Sequence, residues 1–141
     1  MATVRGIPAE MDLLLASSTG KHIEAKVKEI YIETDDGDLG VLPGHQPEFY
    51  SVSAGVLKFK DVEGKEEEKV LFKGFVQIEP EIVRIGVEDF FDPNKLDVER
   101  IEKEISAIKE KLESLSPEGE SIRGKLETVV AKLENLLERS R

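Results

Sequence analysis

The sequence predicts an α+β protein of two domains: an N-terminal antiparallel β-sandwich of about nine to ten short strands, then a C-terminal antiparallel two-helix hairpin. From about residue 12 to residue 87, apolar residues recur with period two in short runs separated by turn formers. Beyond residue 95 the apolar spacing changes to steps of three and four. A chain of 141 residues with 39% apolar composition can bury one core and a small appendage.

The period-two region contains nine candidate strands. Asp36-Gly37 and Glu63-Gly64 predict hairpin turns, and Glu79-Pro80-Glu81 ends a strand because proline has no amide hydrogen for the ladder. The charged run from Lys65 to Lys69 is interpreted as a solvated hairpin arm. The candidate strands are residues 11–16, 22–27, 29–33, 40–42, 49–52, 55–60, 68–72, 74–79 and 82–87.

Two heptad seams predict the helices. Between them, Ser116, Pro117 and Glu118 supply the chemistry of a helix stop and restart, and Asp92 or Asn94 is a candidate cap for the first helix. The expected domains are therefore an extension at residues 1–10, a sandwich at 11–90 and a hairpin at 91–141. The seams are Val98, Ile101, Ile105, Ile108, Leu112 and Leu115, and then Ile122, Leu126, Val129, Leu133 and Leu136.

The hairpin is expected to be only weakly held. Helices of roughly 20 residues are marginal alone, so most of each narrow seam is used in pairing with the other helix. Val130 and Leu137 form an extra apolar row on the second helix, which could dock on the sandwich or on a partner. Detaching such an appendage would cost a few kcal/mol, so a mobile hairpin is a physical hypothesis.

Charge and composition exclude several classes of protein. The net charge of −10 disfavours nucleic acid and anionic lipid, since binding to phosphate needs clustered Lys and Arg. The acidic excess lies mainly in residues 1–95, which hold 19 acidic and 11 basic residues. The absence of cysteine excludes disulfides and disfavours a zinc site. No signal peptide or membrane-spanning run is found, so a cytoplasmic protein without direct lipid insertion is expected.

The densest group of turn formers lies at residues 35–47, where three glycines and two prolines predict a fixed loop between strands. His45 in this loop has no metal-ligand spacing around it, so a hydrogen-bonded loop histidine is expected and no metal site is predicted. The chain also lacks a nucleophile–base set and a phosphate-binding glycine loop. We therefore expect no enzymatic activity. A helical-hairpin adaptor that joins a partner's coiled coil is an alternative.

The chain resembles the epsilon subunits of F-type ATP synthase, called delta in mitochondria, from about residue 11 to residue 141. The segments Asp38-Leu39-Gly40 and Pro43-Gly44-His45 match the family's Gly-Glu-Leu-Gly and Pro-Gly-His motifs, with Asp38 in place of Glu. Residues 72–78 resemble its Ser-Gly-Gly-Phe-Leu-Glu-Val strand pair, with Lys73 in place of the first glycine.

This resemblance implies a non-catalytic central-stalk subunit that helps couple proton or sodium flow to ATP synthesis. The sandwich would bind the gamma subunit and the membrane c-ring, with Asp38, Gly44 and His45 at the rotor interface. The hairpin would act as a brake on the catalytic alpha/beta hexamer, with Arg123, Lys125 and Lys132 contacting acidic surfaces. The subunit would be a monomer when isolated and peripheral on the cytoplasmic face of the inner membrane.

Some members of the family also bind ATP as a regulatory ligand through an Ile/Leu-Asp-x-x-Arg-Ala motif. Residues 96–101 match it except at Ile101, which implies Asp97 and Arg100 as ligands on one helix face. The supporting acid and arginines of those members are not found, because their places hold Phe91, Ala107 and, in the second helix, Val130 and Glu134. The alternative is a charge pair in the first helical turn.

Overall fold

The computed structural model describes residues 3–4, 7–93, 98–114 and 120–139. The chain divides into two compact units, Met1–Phe91 and Asp92–Arg141. The described strands are β1 (Thr3–Val4), β2 (Ile7–Pro8), β3 (Met11–Ser17), β4 (His22–Thr34), β5 (Gly37–Val41), β6 (Glu48–Asp61), β7 (Glu66–Ile78) and β8 (Ile82–Phe91), and the helices are α1 (Val98–Ser114) and α2 (Glu120–Arg139). The predicted α+β class is confirmed.

Six long strands form one sheet in the order β3-β8-β7-β6-β4-β5, and β3 also pairs with the first half of β4. This extra pairing closes the sheet on itself, as in a barrel-like sandwich. Strands β3 and β8 run parallel, although an antiparallel sandwich was expected, and the other neighbours in this sheet are antiparallel. The strands β1 and β2 form a separate antiparallel pair.

The core lies inside the closed sheet. In β3, Met11, Leu13 and Leu15 are at most 2% exposed and alternate with half-buried residues, as period two requires. Every long strand contributes to one continuous apolar cluster, from Met11 in β3 to Phe90 in β8. Each buried aliphatic side chain contributes about 1.5 to 3 kcal/mol, so this cluster is the main source of stability of the first unit.

The division into nine short strands is wrong. The predicted segments 22–27 and 29–33 form β4, and two further pairs of segments fuse into β6 and β7. The predicted breaks are irregularities within strands. The β4–β6 register shifts between Val27 and Glu29, and the β6–β7 ladder passes from the pair Val52–Gly74 to Ala54–Phe72. A β-bulge or kink interrupts the apolar period without ending the strand.

The irregular point in β7 is Lys73, which is missing from the β6–β7 register and whose φ of 56° lies in the left-handed region. On β6, the neighbouring Ser53 takes its partner from outside the ladder. Its amide donates to Asp35 Oδ1 at 2.8 Å and its hydroxyl to Asp35 Oδ2 at 2.9 Å. The carboxylate of Asp35, in the β4–β5 turn, therefore satisfies the backbone at the irregular point of β6.

The two helices of the second unit pack against each other as a hairpin. Arg123 near the start of α2 reaches the carbonyl of Leu112 near the end of α1, which brings these two helix ends together. The predicted stop at residues 115–119 and the capping residue Asn94 lie outside the described residues. The buried helical residues are Ile101, Ile105, Val129, Val130, Leu133 and Leu136, all from the predicted seams or the extra row.

Candidate functional site

Asp38 is exposed on β5, opposite Glu33 of β4. The hydroxyl of Tyr31 donates to Asp38 Oδ2 at 2.7 Å. This hydrogen bond, helped by desolvation, raises the pKa of Tyr31 to about 12. The neutral phenol therefore orients the Asp38 carboxylate at physiological pH, on the solvent side of the sheet.

Gly44 and His45 lie in the loop that leaves β5. Gly44 has a φ of 88°, which a glycine adopts without the steric cost of a Cβ atom. Its amide donates to the carbonyl of Pro80 at 2.8 Å, and the amide of His45 donates to the carbonyl of Leu42 at 3.2 Å. These two bonds fix the loop and join it to the turn between β7 and β8.

The imidazole of His45 is held by its own loop. Nδ1 lies 2.8 Å from the carbonyl oxygen of Gln46 and 3.2 Å from Glu48 Oε1. Because both neighbours are acceptors, the ring hydrogen is assigned to Nδ1. Glu48 in turn accepts a hydrogen bond from the hydroxyl of Tyr50. His45 is thus a hydrogen-bonded loop residue, which orders the surface of the loop.

The three residues predicted for the rotor interface are only partly brought together. Gly44 and His45 share one loop, whereas Asp38 lies at the other end of β5, about 10 Å along the strand from Val41. Both positions face solvent on connected elements. They form two separate parts of the surface. Their side chains do not come together as the groups of a catalytic site must.

A pair of exposed aromatic rings was not predicted as a functional feature. Phe49 is 63% exposed and Phe75 is 42% exposed, and their rings stack with centroids 5.5 Å apart and an interplanar angle of 16°. The ring of Phe75 lies over Gly86, because a Cβ atom built there would meet its Cζ at 2.8 Å. The sequence did carry a signal for this pair. Both phenylalanines occupy positions of their strands where the alternation predicts a polar, outward-facing residue.

A cavity of about 680 Å³ opens on the outward face of strands β4 to β7. Opposite charges pair across it, with Lys58 3.7 Å from Glu68 and Lys60 3.7 Å from Glu29. Much of the predicted solvated charge run borders this cavity, where Glu66 lies 3.9 Å from Lys60. Its lining holds four glutamates and two lysines, and these ion pairs form no acid–base or nucleophile pair.

The helical unit holds the remaining candidates. Arg100 lies half-buried in the first turn of α1, but Asp97 lies outside the described residues. On α2, Arg123 Nη2 donates to the carbonyl of Leu112 at 3.0 Å, and Lys132 is half-buried. The side chain of Lys125 is not described. Nucleotide binding by Asp97 and Arg100 stays a prediction, as does contact of the three basic residues with catalytic subunits.

The described residues contain neither a candidate metal site nor a membrane-spanning helix. No group of three or more His, Cys, Asp or Glu residues there could hold a metal ion. None of the helices in the described ranges is long and apolar enough to cross a membrane.

Comparison with known proteins identifies relatives. The model of the ATP synthase delta/epsilon chain beta-sandwich domain matches residues 10–93. The sodium ion specific ATP synthase epsilon chain of Propionigenium modestum is 28% identical over 102 residues, which are 72% of this chain and 74% of that one. The ATP synthase epsilon chain of Bdellovibrio bacteriovorus is 34% identical over 88 residues, and the match covers 61% of each chain.

Two solved structures share the fold. A chain of the Euglena gracilis mitochondrial ATP synthase aligns with a TM-score of 0.67 at 24% identity, covering 98% of this chain and 85% of that one. A chain of the Tetrahymena thermophila mitochondrial ATP synthase central stalk and c-ring aligns with a TM-score of 0.57 at 17% identity, covering 90% and 96%. Because the family model spans more than half of the sequence, this chain belongs to the ATP synthase delta/epsilon family of non-catalytic central-stalk subunits.

Proposed function

We propose that the sandwich of this chain binds the gamma subunit through a surface centred on Phe49 and Phe75. Two large apolar rings at 63% and 42% exposure are the observation that carries this proposal. A contiguous exposed apolar patch marks an interaction surface, and aromatic residues, Phe included, are enriched at protein interfaces. The neighbouring strand leaves room for the Phe75 ring at Gly86, so the pair presents a broad apolar contact area.

The membrane c-ring is the second proposed partner. Asp38 supplies an oriented carboxylate, and the loop containing Gly44 and His45 is held rigid by its bonds to neighbouring backbone. A rigid loop loses little conformational entropy on binding, which favours a contact that must persist during rotation. The complex would lie peripherally on the cytoplasmic face of the inner membrane.

The helical hairpin is proposed as the regulatory part. Its two helices form a unit separate from the sandwich in the division of the chain. We propose that it restrains ATP hydrolysis by the alpha/beta hexamer, with Arg123, Lys125 and Lys132 contributing positive charge. Arg123 already donates to the end of α1, so its use by a partner would compete with a bond that closes the hairpin.

The test is ATP hydrolysis by the cognate catalytic complex lacking this subunit, titrated with the full chain and with a version ending at Asn94. The proposal predicts that both bind and that only the full chain inhibits. Binding of both without inhibition would remove the regulatory role and leave the stalk role. Failure of both to bind would contradict the proposed interface with gamma.

A further inference from the structure

The last residues of β8 are held by more than their strand partners. The ladder between β3 and β8 ends at the pair Ser17–Val87, so the segment Glu88–Phe91 continues beside β7 alone. The turn that follows β3 closes over this segment. Ser18 donates from its amide to the carbonyl of Val87 at 3.1 Å and from its hydroxyl to that of Glu88 at 2.9 Å.

Lys21, at the end of the same turn, is the centre of this contact. Its ammonium lies 2.7 Å from Asp89 Oδ1 and donates to the carbonyl of Phe90. It also lies 5.0 Å from the ring centroid of Phe90 and 4.3 Å from that of Phe91, within the range of cation–π attraction. One cation therefore contacts three consecutive residues at the end of the strand.

Asp89 is the buried half of the ion pair. Its side chain is 9% exposed, whereas that of Lys21 is 43% exposed. Besides the ammonium, Asp89 Oδ1 accepts from the amide of Phe90 at 2.8 Å and from the hydroxyl of Thr19 at 3.4 Å. Burying a carboxylate is costly unless it is paired with donors, so loss of the Lys21 ammonium would remove a charged donor from a side chain that is only 9% exposed.

This cluster lies at the boundary between the two units of the chain. Phe91 is the last residue of the first unit, and Asp92 begins the second. We propose that the turn Ser18–Lys21 clamps Glu88–Phe91, so that movement of the helical unit ends at Asp92 and does not loosen the sheet. The role of this clamp in isolating the sheet rests on the proposed mobility of the hairpin. The contacts that form the clamp do not depend on that mobility.

Hydrogen exchange of the isolated full-length chain tests the clamp. In Lys21→Met, which keeps an apolar stem beside the rings, protection of the amides of Phe90 and Phe91 should fall about 10- to 100-fold, the range expected for losing a charge-assisted bond. Protection within residues 82–87 should not change. Lys21→Arg should retain protection, because it restores the charge and the donors.

The control is Lys26→Met, which removes the same charge from an exposed pair with Asp12 at 2.7 Å. It should leave Phe90 and Phe91 protected. Asp89→Asn is a second test should Lys21→Met not fold, and it should give the same local loss. Unchanged protection in both clamp variants, or an equal loss along all of β8, would overturn the clamp. Neither result depends on binding to gamma, so failure of the clamp and failure of the proposed function are separable.

Discussion

Phe49 and Phe75 stack in near-parallel orientation on the solvent side of neighbouring strands, with ring centroids 5.5 Å apart. Such a pair contributes about 0.5 to 1.5 kcal/mol beyond its buried area, yet both rings keep much of their surface in water. Exposing these rings to water does not stabilise the isolated chain. A partner that covers both rings would gain their remaining apolar area, which supports the proposed gamma interface.

Truncating either ring should weaken binding strongly, while the lost stacking should lower the free energy of unfolding by only about 1 kcal/mol. Phe49→Ser and Phe75→Ser are each expected to lower affinity for a gamma-containing catalytic complex about 10- to 100-fold, as for aromatic residues central to an interface. Phe49→Leu and Phe75→Leu, which keep apolar area, should lose less. Binding titrations measure the change. Equal affinity of the serine variants and the parent would show that the rings lie outside the interface.

The two glycines near this pair should respond differently to alanine. A Cβ atom at Gly74 would come within 1.9 Å of the backbone oxygen of Gly86, so Gly74→Ala should cost more than about 3 kcal/mol in the free energy of unfolding. A Cβ atom at Gly86 meets the movable ring of Phe75 instead. Gly86→Ala should cost about 1 kcal/mol and shift the ring. Urea denaturation gives both values, and similar costs would contradict this difference.

Replacing Lys73 by a residue that tolerates a positive φ should raise the stability of the protein. Its φ of 56° costs about 1 to 2 kcal/mol for an ordinary side chain, partly offset in glycine by greater freedom of the unfolded chain. Lys73→Gly is therefore expected to stabilise by about 0.5 to 1 kcal/mol, and Lys73→Val to destabilise. Thermal unfolding of the two variants orders them, and a less stable glycine variant would mean that lost contacts of Lys73 outweigh the strain.

Asp35 should be needed for stability although it lies in a turn. Asp35→Ala removes both acceptors of Ser53 and leaves a part-buried amide unsatisfied, at a cost of about 1 to 3 kcal/mol. Asp35→Asn keeps one acceptor oxygen and should cost less. Glu63→Ala, in the exposed β6–β7 turn, serves as the control and should change stability by less than about 0.5 kcal/mol. Denaturant midpoints with equal m-values test the order.

The bond from Tyr31 to Asp38 should be visible at alkaline pH. The pKa of Tyr31 is about 12 in the folded chain and 10.0 in the unfolded reference, so the folded state holds the phenolic proton more tightly. Its stabilisation is complete below about pH 10 and is lost as the pH rises toward 12. Asp38→Asn should bring the titration of Tyr31 closer to 10, measured by tyrosinate absorbance in a Tyr50→Phe background. An unchanged midpoint would remove Asp38 as the cause.

Local periodicity explains why the fold class could be predicted. Alternation in β3 and the heptad steps of α1 and α2 depend on residues close in sequence. The parallel pairing of β3 with β8 could not be read in this way, because residues as distant as Leu13 and Val83 meet only when the sheet closes. The irregular points between Val27 and Glu29 in β4 and at Lys73 in β7 looked like strand ends because the apolar period fails at both.

The candidate site was predictable only in part. The left-handed backbone at residue 44 could be predicted because glycine favours it. The hydrogen-bonded state of His45 could be predicted because no metal-ligand spacing surrounds it. The stacking of Phe49 on Phe75 depends on the register of β6 with β7, which no local pattern specifies. An aromatic residue in a polar register is a readable signal for an interface, and it could have singled out both rings.

Photo-cross-linking from position 75 tests whether the two rings contact gamma. A photoreactive phenylalanine analogue at position 75 leaves the ring in place. The control is the same analogue at Lys58, which lines the cavity on strands β4 to β7. In the complex reconstituted with gamma, the alpha/beta hexamer and the c-ring, we expect a covalent product with gamma from position 75 and less from position 58. A product with another subunit, or no product from position 75 in an assembled complex, would contradict this expectation.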